Sequence, residues 1–223
     1  MKMLFGFLSS SIGKKIVMSL TGLFLCLYLV VHLAGNLLLL KQDGGAAFDQ
    51  YAELLPGLLV IQIIEKGLFL VFFLHIIQGT VLWMNNRAAR PVKYVVNKAE
   101  ENSSLSSRTM FITGSIIFMF LVVHIRTFWV TSRFHHDEYP SMYNIAVTAF
   151  ADPKYSFFYV IAVVLLAFHL RHGFQSAFQT FGIKHKKYAS LIEGVGVVFW
   201  LLIPIGFAII PIYFFYNTCH WFH

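Results

Sequence analysis

Apolar positions along this chain gather into five long runs, roughly 15–40, 58–84, 109–131, 154–181 and 190–216, and charges and turn formers collect between them. Each run is long enough to cross about 30 Å of hydrocarbon as a helix. The pattern predicts an all-α polytopic membrane protein, one bundle of five transmembrane helices filling a single domain over residues 1–223. The first run has the position of a secretory leader, but it is too long, lacks a small-residue cleavage site and carries a histidine, so it is expected to stay as the first helix. Asn102 to Ser107 offers a cap ahead of the third helix, Asp152-Pro153 a start for the fourth, and Asp43-Gly44-Gly45 a turn between the first two.

Composition agrees. Of 223 residues, 58% are hydrophobic and 12% charged, and the 24 Phe are spread along the whole chain, which excludes an ordinary soluble globule. The net charge of +7 sits in short clusters between apolar runs rather than on one continuous face, so nucleic acid is not an expected partner and the lipid bilayer is. Lys2, Lys14, Lys15, Arg87, Arg90, Lys93, Lys98, Arg108, Arg171, Lys184, Lys186 and Lys187 fall on one side of the predicted bundle, twelve of the seventeen Lys and Arg. Positive residues favour the cytoplasmic face, which puts the N-terminus in the cytoplasm and the C-terminus outside. Trp129, Trp200 and Trp221 are candidate interfacial anchors. Cys26 and Cys219 supply no disulfide framework, no metal-ligand spacing and no motif for covalent attachment of a cofactor.

Ten histidines are present, and four of them, His32, His75, His124 and His169, fall one to a helix inside the first four runs. Alternating helix direction and a rise of about 1.5 Å per residue convert position to depth. His32 and His124 come out toward the outside, His75 and His169 toward the cytoplasm. Two imidazoles facing each other across a bundle are what bis-histidine haem ligation requires. His172 lies three residues after His169 on nearly the same face and competes with it for the inner position. His135, His136, His185, His220 and His223 read as solvated surface.

A weak internal repeat supports the pairing. Thr21-Gly22 precedes His32 as Thr113-Gly114 precedes His124, with ten residues from glycine to histidine in each, and His75-x-x-x-Gly79 matches His169-x-x-x-Gly173. The interval places Gly22 and Gly114 about 15 Å from the outer histidines, at the depth of the inner pair. There a missing side chain would let a porphyrin approach, while close helix packing through small residues is the other reading. Repetition of the interval favours the porphyrin.

With these motifs the chain resembles the di-haem cytochrome b membrane-anchor subunit of bacterial succinate dehydrogenases and fumarate reductases. The resemblance runs through Ser11 to Lys15, Met18 to Gly22, His32 to Asn36, the surroundings of His75 and His124, and Phe168 to Gly182. It implies two b haems, His32 with His124 for the distal one and His75 with His169 for the proximal one. It also implies a bacterial cytoplasmic membrane, a respiratory quinone, with menaquinone favoured, and two partners on the cytoplasmic side. Those partners are a flavoprotein carrying FAD and an iron–sulfur protein. Loops 85–108 and 182–189 would help dock them, and electrons would pass between the iron–sulfur protein and quinone without dicarboxylate chemistry in this chain.

Further residues join that expectation. Glu65, ten residues before His75 and so near outer-haem depth, is the candidate for quinone proton chemistry, because a carboxylate inside a span is costly without a task or partner. Its bland alternatives are an ion pair with Lys66 or an interfacial position on a helix that starts later than residue 58. Gln62, one turn earlier, is a candidate hydrogen-bond donor to a quinone carbonyl. Arg126 is placed for the outer haem propionates, Ser19 and Arg108 for the inner ones. Some fumarate reductases of this type carry a glutamate two residues before the fourth ligand; Ala167 stands there, so that proton route is lacking. The competing readings are a cytochrome b anchor of a hydrogenase or formate dehydrogenase, and a haem-free transporter or scaffold.

Overall fold

A computed structural model describes residues 6, 10–89, 105–183 and 187–220. Most of the cap predicted at Asn102 to Ser107, the loop cations Lys2, Arg90, Lys93, Lys98, Lys184 and Lys186, and His185, Trp221 and His223 lie outside the described residues, as do the side chains of Cys219 and His220.

Among the described residues every regular element is helical. Five helices among these residues are long and apolar enough to cross a membrane: Ser11–Leu40, Leu59–Ala88, Met110–Phe134, Pro153–Thr180 and Ala189–Thr218. We label the helical segments α1 (Ser11–Asn36), α2 (Ala46–Gly57), α3 (Leu59–Ala88), α4 (Met110–His124), α5 (Met142–Ala151), α6 (Pro153–Thr180), α7 (Ala189–Val197) and α8 (Ile203–His220). A 3-10 stretch, Leu37–Leu40, ends the first span. The third span continues past α4 as a π-helical segment, Ile125–Val130, and a last α turn, Thr131–Phe134; a second π segment, Val198–Leu202, joins α7 to α8.

Each start has a local cause. Ser10 accepts a hydrogen bond from the Gly13 N–H at the head of α1, and Asp152 accepts one from Lys154 N–H with Pro153 in the first position of α6, where its missing donor costs nothing. Asp43 accepts from the N–H groups of Gly45 and Ala47 while Gly44 and Gly45 take positive φ angles of 69° and 91°, the predicted turn.

The short helices α2 and α5 were not expected from the apolar runs. They meet: Asp49 of α2 accepts from Ser141 Oγ at 2.7 Å and from Tyr143 N–H at 2.8 Å, and Ser141 in turn caps α5 by accepting from Asn144 N–H. The first-to-second and third-to-fourth connections therefore share one end of the bundle, here called the capped end, which fixes the first and third spans as parallel and the second and fourth as antiparallel to them. The sequence assigned this end to the outside. Beneath the cap lies a buried hydrophobic cluster of Leu39, Phe48, Ala146, Phe150, Tyr159, Ile210 and Phe214.

Away from that cluster the spans turn large apolar side chains outward. Leu59 is 72% exposed, Val31 and Met119 63%, and no residue of α3 is buried. So much exposed hydrocarbon along helices of this length suggests a lipid bilayer environment and a multi-pass membrane protein.

Candidate functional site: two facing histidine pairs

The four span histidines meet in two pairs. His32 of α1 faces His124 at the end of α4 with ring centroids 5.7 Å apart and planes at 82°, and His75 of α3 faces His169 of α6 at 6.3 Å and 64°. These are the partners derived from depth. The first pair lies toward the capped end, where His124 also touches Tyr159, and the second toward the other end, where Met18 near the start of α1 reaches Gly79 beyond His75.

At the second pair, Thr21 is buried and its hydroxyl lies between the carbonyls of Val17 (2.9 Å) and Met18 (3.0 Å) and the Nδ1 of His75 (3.1 Å). A hydroxyl has one proton, and here it goes to the carbonyls of its own helix, so the oxygen can only accept from His75. Nδ1 of His75 is thereby the protonated nitrogen and Nε2 keeps its lone pair. Thr113 repeats the arrangement, buried and donating to the Thr109 and Met110 carbonyls at 3.1 Å. The ring above it, His169, has its Nδ1 buried with no hydrogen-bond partner among the described residues.

The glycines beside these threonines lie at the expected level, against the imidazoles of the inner pair. A Cβ on Gly22 would stand 3.3 Å from Cε1 of His75, and one on Gly114 would stand 3.4 Å from Cε1 of His169. The imidazole of the following span thus packs beside each glycine. Gly79 and Gly173 are matched in the same way, against the methyl groups of Met18 (3.4 Å) and Met110 (3.6 Å). Met18 and Met110 thus belong to the repeat, each three residues before its threonine, a match that was visible in the sequence.

At the first pair the surroundings are aromatic. Tyr28 stacks on His32 (5.2 Å, 18°) with its hydroxyl 3.3 Å from Nδ1; Asn36 Nδ2 is 3.4 Å from the same nitrogen and donates to the His32 carbonyl at 2.7 Å. Phe207 of α8 covers His32 from the fifth span. Nδ1 of His124 lies 3.0 Å from the Tyr159 hydroxyl. The π segment begins with the residue after His124, a widening of the helix that often accompanies functional positions.

The remaining candidates are dispersed. Glu65 does not pair with Lys66; its carboxylate takes Nη2 of Arg133, from the last turn of the third span, at 3.3 and 3.2 Å. Gln62 donates to the Pro56 carbonyl at 2.9 Å, bridging the break between α2 and α3. Arg126 is exposed, 3.5 Å from Thr131 Oγ1, and borders a cavity of about 600 Å³ at the capped end lined also by Thr127, His135, Ser141 and Asn144. Ser19 is buried at 7% exposure one residue after Met18, and Arg108 is exposed on the short turn Leu105–Arg108. His172 lies partly buried beside His169, which is the residue that faces His75. Trp200 lies under the Arg171 guanidinium at 5.1 Å, and Trp129 packs on Phe69 and Phe134.

No family model, no curated protein and no solved structure matches this chain.

Proposed function

We propose that this chain is a di-haem b-type cytochrome serving as the membrane anchor and quinone-reactive subunit of a succinate:quinone oxidoreductase. The observation that carries the reading is the meeting of four span histidines as two facing pairs, one toward each end of the bundle.

The donor set fits haem. Two metal–imidazole bonds of about 2 Å each, with the ring radii added, separate ring centroids by roughly 6 Å, close to the 6.3 Å and 5.7 Å found. Among the described residues no group of three or more His, Cys, Asp or Glu converges. A bare cation would thus find two protein donors where it needs four or more, whereas a porphyrin brings four nitrogens of its own and lacks only the axial two. Thr21 favours the same group, because it leaves Nε2 of His75 as a lone-pair donor. The orphaned Nδ1 of His169 is a donor awaiting an acceptor, and Thr113 holds the acceptor that the repeat assigns to it.

Bound haem would supply one-electron transfer between a soluble redox partner and a membrane quinone. The chain's residues do the rest. His75 and His169 serve the end assigned to the cytoplasm, where the flavoprotein and iron–sulfur subunits would dock, and His32 and His124 serve the capped end. Ser19 and Arg108 stand toward the first end and Arg126 toward the second as candidate partners of propionates. Glu65 holds a carboxylate near the level of the capped-end pair, ready to exchange a proton with a quinone when Arg133 releases it, and Gln62 offers an amide one turn away. The specific complex, the bacterial membrane and menaquinone rest on the sequence resemblance.

Isolation of the chain from its own membrane in mild detergent tests this assignment. The expected preparation contains a flavoprotein and an iron–sulfur protein and transfers electrons from succinate to a quinone. Hydrogenase or formate dehydrogenase subunits in their place would make this the anchor of a different quinone-linked complex.

A further inference from the structure

We infer that Tyr159, backed by Tyr155, is the positioning residue for His124, holding the imidazole in the ligating tautomer and setting the redox potential of the capped-end centre. The inference rests on the di-haem reading above.

The Tyr159 hydroxyl lies 3.0 Å from Nδ1 of His124 and shares a 3.0 Å hydrogen bond with the Tyr155 hydroxyl. Its ring is 5% exposed and packed by Phe120 (4.8 Å), Phe150 (5.0 Å) and Tyr155 (4.7 Å), so the hydroxyl has little freedom to turn elsewhere. A phenol can donate or accept, and the chain of hydroxyls can run in either sense. Only one sense at Tyr159 leaves Nε2 of His124 with a lone pair toward His32: His124 Nδ1–H donates to the Tyr159 oxygen, which the hydrogen bond with Tyr155 holds in place. An acceptor behind a ligating imidazole orients the ring and raises its basicity, which favours the oxidised metal and lowers the potential.

The repeat makes this placement specific. Tyr159 precedes His169 by ten residues, as Glu65 precedes His75. In the second half of the chain that position carries a buried phenol on a span histidine, and in the first half a carboxylate paired with Arg133. The two pairs consequently differ in what backs them, a tyrosine hydroxyl behind His124 at the capped end and the Thr21 hydroxyl behind His75 at the other.

The test uses the purified full chain with its haems in detergent, as wild type, Tyr159→Phe and Tyr155→Phe, each assayed for haem per chain, potentiometric midpoints and the electron paramagnetic resonance of the ferric centres. For Tyr159→Phe the expected result is two haems per chain, with one midpoint moved to higher potential. The shift corresponds to a severalfold change in the reduced-to-oxidised ratio, with tenfold equal to 59 mV for one electron. The ferric signal of that same centre should shift, and the other centre should stay unmoved. Tyr155→Phe, which frees the Tyr159 hydroxyl from its second partner, should move the same centre by less and leave the other unmoved. If Tyr159→Phe cannot be purified with haem, the Tyr155→Phe shift decides alone. Unchanged midpoints in the variants that retain both haems, or an equal shift of both centres, would overturn the positioning role and leave the di-haem reading standing. A wild-type chain without haem would overturn that reading and this inference with it.

Discussion

The Thr21 hydroxyl lies 3.1 Å from Nδ1 of His75 while donating its only proton to carbonyls of its own helix. A side chain often regarded as a minor disturbance inside a helix thus becomes an acceptor that dictates which imidazole nitrogen carries hydrogen. Thr21→Val keeps shape and removes the acceptor. Loss of a partner behind a metal-bound histidine typically weakens the site about 10- to 100-fold. We expect Thr21→Val to lower haem retention at the His75–His169 pair during dilution or competition with a haem scavenger, with Thr21→Ser near wild type. Equal retention in both variants would remove Thr21 from the site.

Gly22 and Gly114 make room for imidazoles, so their substitutions should act on one pair only. Gly22→Val places branched carbon against Cε1 of His75, already 3.3 Å from a bare Cβ. Overpacking of this kind costs about 1–3 kcal/mol. The expected outcome is one haem per chain in place of two, read by pyridine haemochrome. Gly67→Ala, with open space around the new methyl, should keep both.

Glu65→Gln retains size and removes the proton. Positioned acid–base groups contribute about 10²- to 10⁴-fold to rate. We expect quinone turnover to fall by about a hundredfold or more with haem content and succinate-side electron entry unchanged. Turnover within twofold of wild type would return Glu65 to a purely structural ion pair with Arg133.

The cap between α2 and α5 should depend on Asp49, which takes hydrogen bonds from Ser141 and Tyr143. Leaving those donors without a partner costs about 1–3 kcal/mol. Asp49→Ala should lower the thermal midpoint and speed proteolysis between the first and second spans, monitored by mass spectrometry of the fragments.

Acid should loosen the same region through Asp43. Desolvation, which would raise its carboxyl, is outweighed by hydrogen bonds from Ala47 N–H, the Lys41 ammonium and Gly45 N–H, and the group is held below its ordinary value. A carboxyl depressed in the folded state contributes stability that is present above its unfolded value and lost as pH falls through the folded one. Hydrogen exchange at the start of α2 should therefore accelerate below about pH 4, and Asp43→Asn should flatten that dependence.

The five spans and the pairing of the histidines were legible because each follows from a single number, run length for the spans and residue count along a helix for the depth. The predicted bounds lie within four residues of the helices observed. Contacts between helices were not legible in the same way. That Glu65 would meet Arg133 rather than Lys66, or that a histidine ring would occupy the space beside Gly22, depends on helix rotation, which depth arithmetic leaves open. The short helices α2 and α5 escaped because their run lengths fall below a span; Asp49 was visible, but its partners, Ser141 and Tyr143, lie across the cap. Tyr159 was within reach of the repeat, at the interval that singled out Glu65, and its abundance class hid it among 10 Tyr and 24 Phe.

The most direct measurement is a dithionite-reduced minus oxidised spectrum of the purified chain with a pyridine haemochrome assay. Applied to wild type and to His32, His75, His124 and His169 changed singly to alanine, it should give two b haems for wild type, and one or none for each variant. A well-folded, partner-bound preparation with no haem would contradict the account and leave the paired histidines without a metal to hold.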